Sequence, residues 1–191
     1  MEKHHPQLHI GIRIIAVKIL LIVLSLFNIG LEDLAGSDIN YIVGVVISLL
    51  ILWQLFKYVR EVHQVNANWI AFWMIVVPIG YFLIIHFAKI EAVTEYTAYF
   101  LYTLPSGIQS VGVIMFSLAL MSNKASESFR EAIEHVGITY LISEVAGMLL
   151  PYLLGYSTWV SSLVAVLHLL PLFAILRLYR LDLTLAGENN Q

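Results

Sequence analysis

Long apolar runs dominate this chain and limit what it can fold into. Six stretches of about 17 residues or more carry few charges, and a helix of that length crosses the roughly 30 Å hydrocarbon core of a bilayer. Hydrophobic residues make up 60% of the 191-residue chain and charged residues 12%, whereas soluble domains average about 25% charged residues. The sequence therefore predicts an all-α, polytopic integral membrane protein without a soluble domain.

The apolar runs and their polar connections predict one domain over residues 1–191, a bundle of six transmembrane helices. These helices are expected at about 10–30, 39–56, 69–87, 96–121, 129–153 and 159–177. The fourth run is longer than a crossing needs, and it contains Pro105. Either this helix kinks at the proline, or residues 95–104 lie on the membrane surface and the crossing begins at Pro105, because proline is favoured in a first helical turn.

The distribution of basic residues predicts the orientation of the bundle. If the N-terminus is cytoplasmic and six helices alternate, nine of the ten Lys and Arg residues fall on the cytoplasmic side, and only Lys89 lies in an outer loop. The positive-inside rule then places both termini in the cytoplasm. We expect the surroundings of the chain to be a lipid bilayer, the inner (cytoplasmic) membrane of a prokaryote.

Two titratable residues lie near the middle of the last two apolar runs. Glu144 and His168 are each about a dozen residues from the turn at Gly155, so both are expected about 17–18 Å below the same surface. Ionisable side chains at that depth are costly and usually have a partner. The sequence predicts a buried Glu144–His168 pair. The pair is either a proton-accepting unit on a transport or sensing route, or a structural hydrogen bond between a neutral acid and a neutral imidazole.

Three further polar residues are secondary candidates. Lys18 lies about two turns into the first helix, where it either extends towards the headgroups or serves as a counter-ion for Glu144. Gln109 lies among small residues of the fourth helix and is expected to bond across a helix interface. Tyr140 lies one turn before Glu144, on the same face of the fifth helix.

Small residues predict where helices pack closely. Ser106 and Ser110 on the fourth helix, and Ser143 and Gly147 on the fifth, form faces of small side chains. Such faces let membrane helices approach one another. We expect all four residues to be buried against neighbouring helices.

Several kinds of site lack the residues that they require. The chain contains no cysteine, which excludes disulfides, thiol nucleophiles and thiolate metal sites. It has no HExxH motif, no glycine-rich phosphate loop and no large basic patch, so neither a metal site nor a nucleic-acid partner is expected. The serines of the fourth helix do not form a nucleophile elbow. We therefore expect no catalytic residues, no cofactor and no enzymatic activity.

Two functions remain compatible with these features. The first is a small transporter, channel or transporter subunit with a polar path past Glu144 and His168, whose small-molecule or ion ligand is left open. Prolines within the apolar runs favour it slightly, because broken helices often line transport sites. The alternative is a non-enzymatic sensor or scaffold subunit that acts through a partner membrane protein or a homo-oligomer.

Overall fold

The computed structural model describes residues 5–26, 37–90 and 94–188. All regular structure in these ranges is helical, and six segments are long and apolar enough to cross a membrane. The helices are α1 His5–Leu26, α2 Ser37–Glu61, α3 Trp69–Ala88, α4 Glu95–Met121, α5 Glu127–Leu154, α6 Thr158–Leu167 and α7 Leu169–Glu188, of which α6 and α7 together form the sixth segment. The prediction of an all-α chain with six membrane-length helices is confirmed for the described residues. Membrane insertion and orientation stay predictions.

Several helices extend beyond the apolar runs from which they were predicted. Helix α1 begins at His5, and the predicted residues 27–30 lie outside the described ranges. Helix α2 continues past residue 56 to Glu61, and α7 continues past residue 177 to Glu188. The end of an apolar run marks the expected edge of the hydrocarbon. The backbones of α2 and α7 stay helical over the polar residues that follow it.

Helix α4 passes through Pro105 without interruption. A π-helical turn spans Tyr99–Thr103, and the Leu104 N–H donates to the carbonyl of Tyr99, five residues earlier. A proline within a helix lacks the N–H donor, and its ring collides with the carbonyl four residues before it. The wider π turn lies immediately before the proline, where that collision would occur. The helix therefore begins at Glu95 and not at Pro105.

The helices form a closed arrangement. Helix α1 packs against α2, α6 and α7, and α2 packs against α3. Helix α3 packs against α4, α4 against α5, and α5 against both α6 and α7. Two of these contacts are very close. A Cβ atom added at Gly137 of α5 would lie 2.7 Å from the Ser117 carbonyl oxygen of α4, and one at Gly112 of α4 would lie 2.8 Å from Cβ of Met74 on α3. Glycine is required at both crossings.

The small-residue faces predicted from the sequence are found only in part. Ser110 and Ser143 are buried, whereas Gly147 is half-buried and Ser106 is exposed. A Cβ atom at Gly147 would meet its nearest neighbour at an ordinary van der Waals distance, 3.7 Å. The tightest crossings lie elsewhere because the rotation of each helix about its axis, which the sequence pattern leaves open, decides which small residues face a neighbour.

Packing is concentrated in one half of the bundle. This half contains the starts of α1, α3 and α5 and the ends of α2, α4 and α7. It holds the fully buried side chains of Ile15, Leu55, Phe56, Phe116, Leu120, Ile133, Val136, Ile175, Leu178 and Tyr179. The basic residues Lys57, Arg60, Lys124, Arg130, Arg177 and Arg180 gather at the same end, so we call it the basic end.

Replacing the glycine at the α3–α4 crossing should destabilise the protein. Gly112→Ala places a methyl group against Met74 and 3.0 Å from the Ala71 carbonyl oxygen. This oxygen belongs to the backbone of α3 and cannot easily move away. We expect a loss of about 1–3 kcal/mol, the usual cost of overpacking. Gly107→Ala on the same helix is the control, because nothing lies within 4 Å of its added methyl group. Thermal unfolding in detergent should rank Gly107→Ala at or above the wild type, and equal melting temperatures for the two variants would contradict this packing.

Candidate functional site

A cavity of about 210 Å³ lies between the helices, beside the packed half of the bundle. Its walls are mainly apolar, with contributions from α2, α3 and α4 such as Leu52, Ile75 and Phe116. Its polar lining residues are Lys18, Ser48, Gln109, Tyr140, Ser143, Glu144 and His168. A concave, mostly apolar site with a few polar groups is the usual form of a small-molecule site.

The five candidates named from the sequence all line this cavity. Lys18 comes from α1, Gln109 from α4, Tyr140 and Glu144 from α5, and His168 from the junction of α6 and α7. Residues far apart in the chain are therefore brought to one place in the fold. Their participation in binding or transport stays a prediction.

Glu144 is held at the contact between α4 and α5. It is half-buried, and its Oε1 accepts a hydrogen bond from the buried Ser110 hydroxyl at 2.5 Å. So short a distance is typical of a hydroxyl that donates to a carboxylate. The bond fixes one carboxylate oxygen, while Oε2 has no hydrogen bond within the described residues.

His168 lies at the break between α6 and α7. Pro171 cannot donate to the carbonyl of Leu167, four residues earlier, and the α-helix is interrupted between them. The His168 ring turns back on its own helix, with Nδ1 at 2.8 Å from the Val164 carbonyl oxygen. Because a carbonyl can only accept, Nδ1 carries the proton. In the neutral ring, Nε2 is therefore an unprotonated acceptor.

The predicted buried pair of Glu144 and His168 is not formed as expected. Glu144 is only half-buried and His168 is exposed, and within the described residues neither a hydrogen bond nor an ion pair joins them. Both residues line the same cavity, but the His168 ring bonds to the Val164 carbonyl oxygen and not to Glu144. The two residues remain neighbours, since a Cβ atom at Gly147, one turn after Glu144, would lie 3.7 Å from Cε1 of His168.

The interactions considered for Lys18 with Glu144 and for Gln109 across a helix interface are not formed among the described residues. Lys18 donates from Nζ to the Gly44 carbonyl oxygen of α2 at 3.1 Å, and it forms no ion pair with Glu144 among the described residues. Gln109, expected to bond across a helix interface, has no such bond in the described part of the chain. Tyr140 packs edge-on against Phe116, with ring centroids 6.2 Å apart.

The cavity has more hydrogen-bonding capacity than the protein itself uses. The Ser143 hydroxyl is buried and has no partner within the described ranges, a condition that costs about 1–3 kcal/mol when nothing compensates it. An ammonium group has three donors, and one of those of Lys18 is bonded to Gly44. These groups, with Nε2 of His168 and Oε2 of Glu144, suit a polar occupant.

Known proteins provide no function for this cavity. Comparison of the chain with protein families, with curated proteins and with solved structures finds no match. Among the described residues there is also no group of three or more His, Asp or Glu side chains placed to hold a metal ion. The site is therefore interpreted from its own chemistry.

A second polar network lies at the basic end, and the sequence did not predict it. The Tyr58 hydroxyl of α2 donates to Oδ2 of Asp182 on α7 at 2.9 Å and lies 2.8 Å from Nε2 of His63, which must then donate to it. The His63 ring also packs against Phe129 of α5, with centroids 4.4 Å apart. With the sixth helix predicted to end at residue 177, Asp182 fell in a tail. The continuing helical period of Ile175, Leu178 and Leu181 was the signal that could have placed it.

Double-mutant cycles should separate the observed contact of Glu144 from the predicted one. We expect Ser110→Ala and Glu144→Met to be coupled by about 0.6 kcal/mol, the average for hydrogen bonds within membranes. Glu144→Met and His168→Gln should be additive within about 0.3 kcal/mol, because these residues share no bond. Free energies of unfolding in mild detergent measure both cycles. Coupling of Glu144 to His168 without coupling to Ser110 would show that His168, and not Ser110, is the partner of Glu144.

Acidification should destabilise the fold through His63. Burial lowers the pKa of His63 below its usual value, and the nearby Asp182 carboxylate opposes this only in part. The unfolded chain therefore takes up a proton at about pH 6.5 while the folded protein does not, and stability falls as the pH decreases through that range. His63→Gln keeps a donor for Tyr58 and should reduce this loss, measured as melting temperature between pH 7.5 and 5. The control His135→Gln, at an exposed position of α5, should leave it unchanged.

Proposed function

We propose that this protein is a small transporter, channel or transporter subunit that binds a polar solute in the cavity beside Glu144 and His168. Its six apolar helices are compatible with a multi-pass membrane protein. One observation carries the proposal. Polar residues from separate helices line a single cavity and leave donors and acceptors there without protein partners.

The chemistry of the lining suits a small solute with charged or strongly polar groups. Lys18 provides donors, Glu144 provides an acceptor oxygen, and His168 provides an imidazole nitrogen that can take up a proton. The apolar walls leave room for a small hydrocarbon portion. At about 210 Å³ the cavity is smaller than most drug-sized sites, which favours a compact ligand or a few hydrated ions.

The Ser110–Glu144 bond fits a role in proton-linked binding. A serine hydroxyl both donates and accepts, so the bond can persist whether the carboxyl group is ionised or protonated. When Glu144 is ionised, Ser110 donates to it; when Glu144 is protonated, the direction of the bond can reverse. Glu144 can thus change its charge at the edge of the cavity while α4 and α5 stay connected.

Irregular helical turns beside the cavity support transport. The α6–α7 break lies at His168, which lines the cavity, and the π turn of α4 lies less than two turns before Gln109. Broken helices frequently form transport sites, and π turns are frequent at functional sites. The packed half of the bundle lies between the cavity and the basic end. A transporter would have to loosen this half during its cycle, whereas a sensor or scaffold would keep it closed.

Accessibility to a thiol reagent tests the proposal and distinguishes it from the sensor alternative. The chain contains no cysteine, so a single Gln109→Cys variant introduces the only thiol. Val111→Cys is the matched control on the same helix, since Val111 is 48% exposed on the outside of the bundle and does not line the cavity. The probe is a membrane-impermeant, positively charged methanethiosulfonate, applied to right-side-out and inverted vesicles.

A transporter or channel should allow Gln109→Cys to react from both sides of the membrane, because its binding cavity must connect with each. A sensor or scaffold should allow reaction from one side only. Val111→Cys should react at least tenfold more slowly, because a thiol in lipid rarely ionises and the charged reagent is excluded. If the two variants react equally slowly, the cavity is dry and the proposal fails.

A further inference from the structure

A second recess lies at the basic end, between the start of α5 and the last turns of α7. Its volume is about 410 Å³, and it is open to the surroundings. Helix α5 contributes Ser128, Glu131 and Ala132, and α7 contributes Arg177, Arg180, Leu181 and Thr184. We call it the arginine groove. It is separate from the central cavity and shares no lining residue with it.

The charges of the groove are unbalanced. Arg177 and Arg180 are three residues apart and so lie on the same side of α7. Arg177 Nη2 is 3.8 Å from Oε1 of Glu131, but Arg180 has no ion pair within the described residues. Two guanidinium groups therefore face one carboxylate. Because both members of the Arg177–Glu131 pair are well exposed, their mutual attraction is weak, and a stronger anion can replace Glu131.

Other groups in the groove favour an oxyanion. The Ser128 hydroxyl lies in the first turn of α5, where backbone N–H groups and the helix dipole attract negative charge. The Thr184 hydroxyl, one turn after Arg180, donates to the Arg180 carbonyl oxygen at 2.9 Å, so its hydrogen is not available to an anion. Planar guanidinium groups bind phosphate through paired hydrogen bonds, and the Ser128 hydroxyl can add a donor to them. The helix terminus contributes to the site, but the two arginines define it.

The arginine groove lies near the end of an apolar segment, where lipid headgroups are expected. The side chains of Ala132 and Leu181 form an apolar part of the lining. Arg180 lies near the end of the sixth apolar segment, which runs from Thr158 to Leu185. This is the level at which a membrane helix passes into the headgroup region, and basic pockets between helices bind anionic headgroups there.

We propose that the arginine groove binds a phosphate group at the membrane surface, with Arg177 and Arg180 as its charged ligands. The phosphate of an anionic phospholipid fits the groove best, because the apolar lining can contact the start of an acyl chain. Glu131 competes with the phosphate for Arg177. The proposal does not depend on the function of the central cavity.

The test measures binding of defined probes to the full-length protein. The protein is purified in a neutral detergent, and its melting temperature is recorded with added short-chain phosphatidylglycerol, short-chain phosphatidylcholine or inorganic phosphate. Phosphatidylglycerol should raise the melting temperature in a saturable manner, and phosphatidylcholine should not. A similar saturable rise with inorganic phosphate would identify a soluble phosphate as the ligand of the same groove.

Three variants identify the groove as the site. Arg180→Gln should weaken the phosphatidylglycerol affinity about tenfold or more, since it removes a charge-assisted contact. Arg130→Gln is the matched control, because it removes the same charge at the same end of the bundle but outside the groove. Glu131→Gln should bind more tightly than the wild type, a gain that a folding defect cannot produce.

The outcomes that would overturn the proposal are distinct. Equal weakening by Arg180→Gln and Arg130→Gln would show that binding follows the overall charge of the basic end. An unchanged affinity in Arg180→Gln together with an unchanged affinity in Glu131→Gln would show that phosphate does not occupy the groove. Absence of a saturable response to every probe would exclude a phosphate site altogether.

Discussion

The need to form every backbone hydrogen bond is the constraint on which the rest of this bundle depends. A helix surrounded by lipid has no water to complete its hydrogen bonds, so every interruption must be compensated within the protein. Prolines within the helices remove backbone donors, and at two of them, Pro105 and Pro171, the preceding turn is irregular. Before Pro105 the helix widens into a π turn, and before Pro171 the α-helix is interrupted at His168. Both irregular turns lie close to the central cavity, which Gln109 and His168 line.

A hydrogen bond to its own helix explains why His168 does not bond to Glu144. Its Nδ1 proton is used by the backbone, which leaves Nε2 as the nitrogen available to an occupant of the cavity. Glu144 is held by Ser110 from another helix, which leaves Oε2 available in the same way. Each residue thus has one atom fixed by the fold and one atom free. A direct bond between the two would have consumed both free atoms.

The residues differ in how far the sequence alone could place them. Hydropathy located the six segments, and counting from Gly155 brought Glu144 and His168 to the same level, where both line one cavity. The partners could not be predicted, because the choice of Ser110 over His168 depends on the rotation of α4 against α5. The network of Tyr58, His63 and Asp182 was missed for a different reason, since hydropathy marks where an apolar run stops and not where a helix ends.

Because the packing of the bundle is uneven, a helix can pivot about its most tightly packed point. Helix α5 is fixed most tightly at Gly137, which lies nearer to its start at Glu127 than to its end at Leu154. The longer arm measures about 25 Å at 1.5 Å per residue, so a tilt of about 10° about this crossing displaces its tip by about 4 Å. The short arm, confined by the dense core, moves about half as far. A small rotation about the crossing would therefore displace mainly the end of α5 that lies opposite the basic residues.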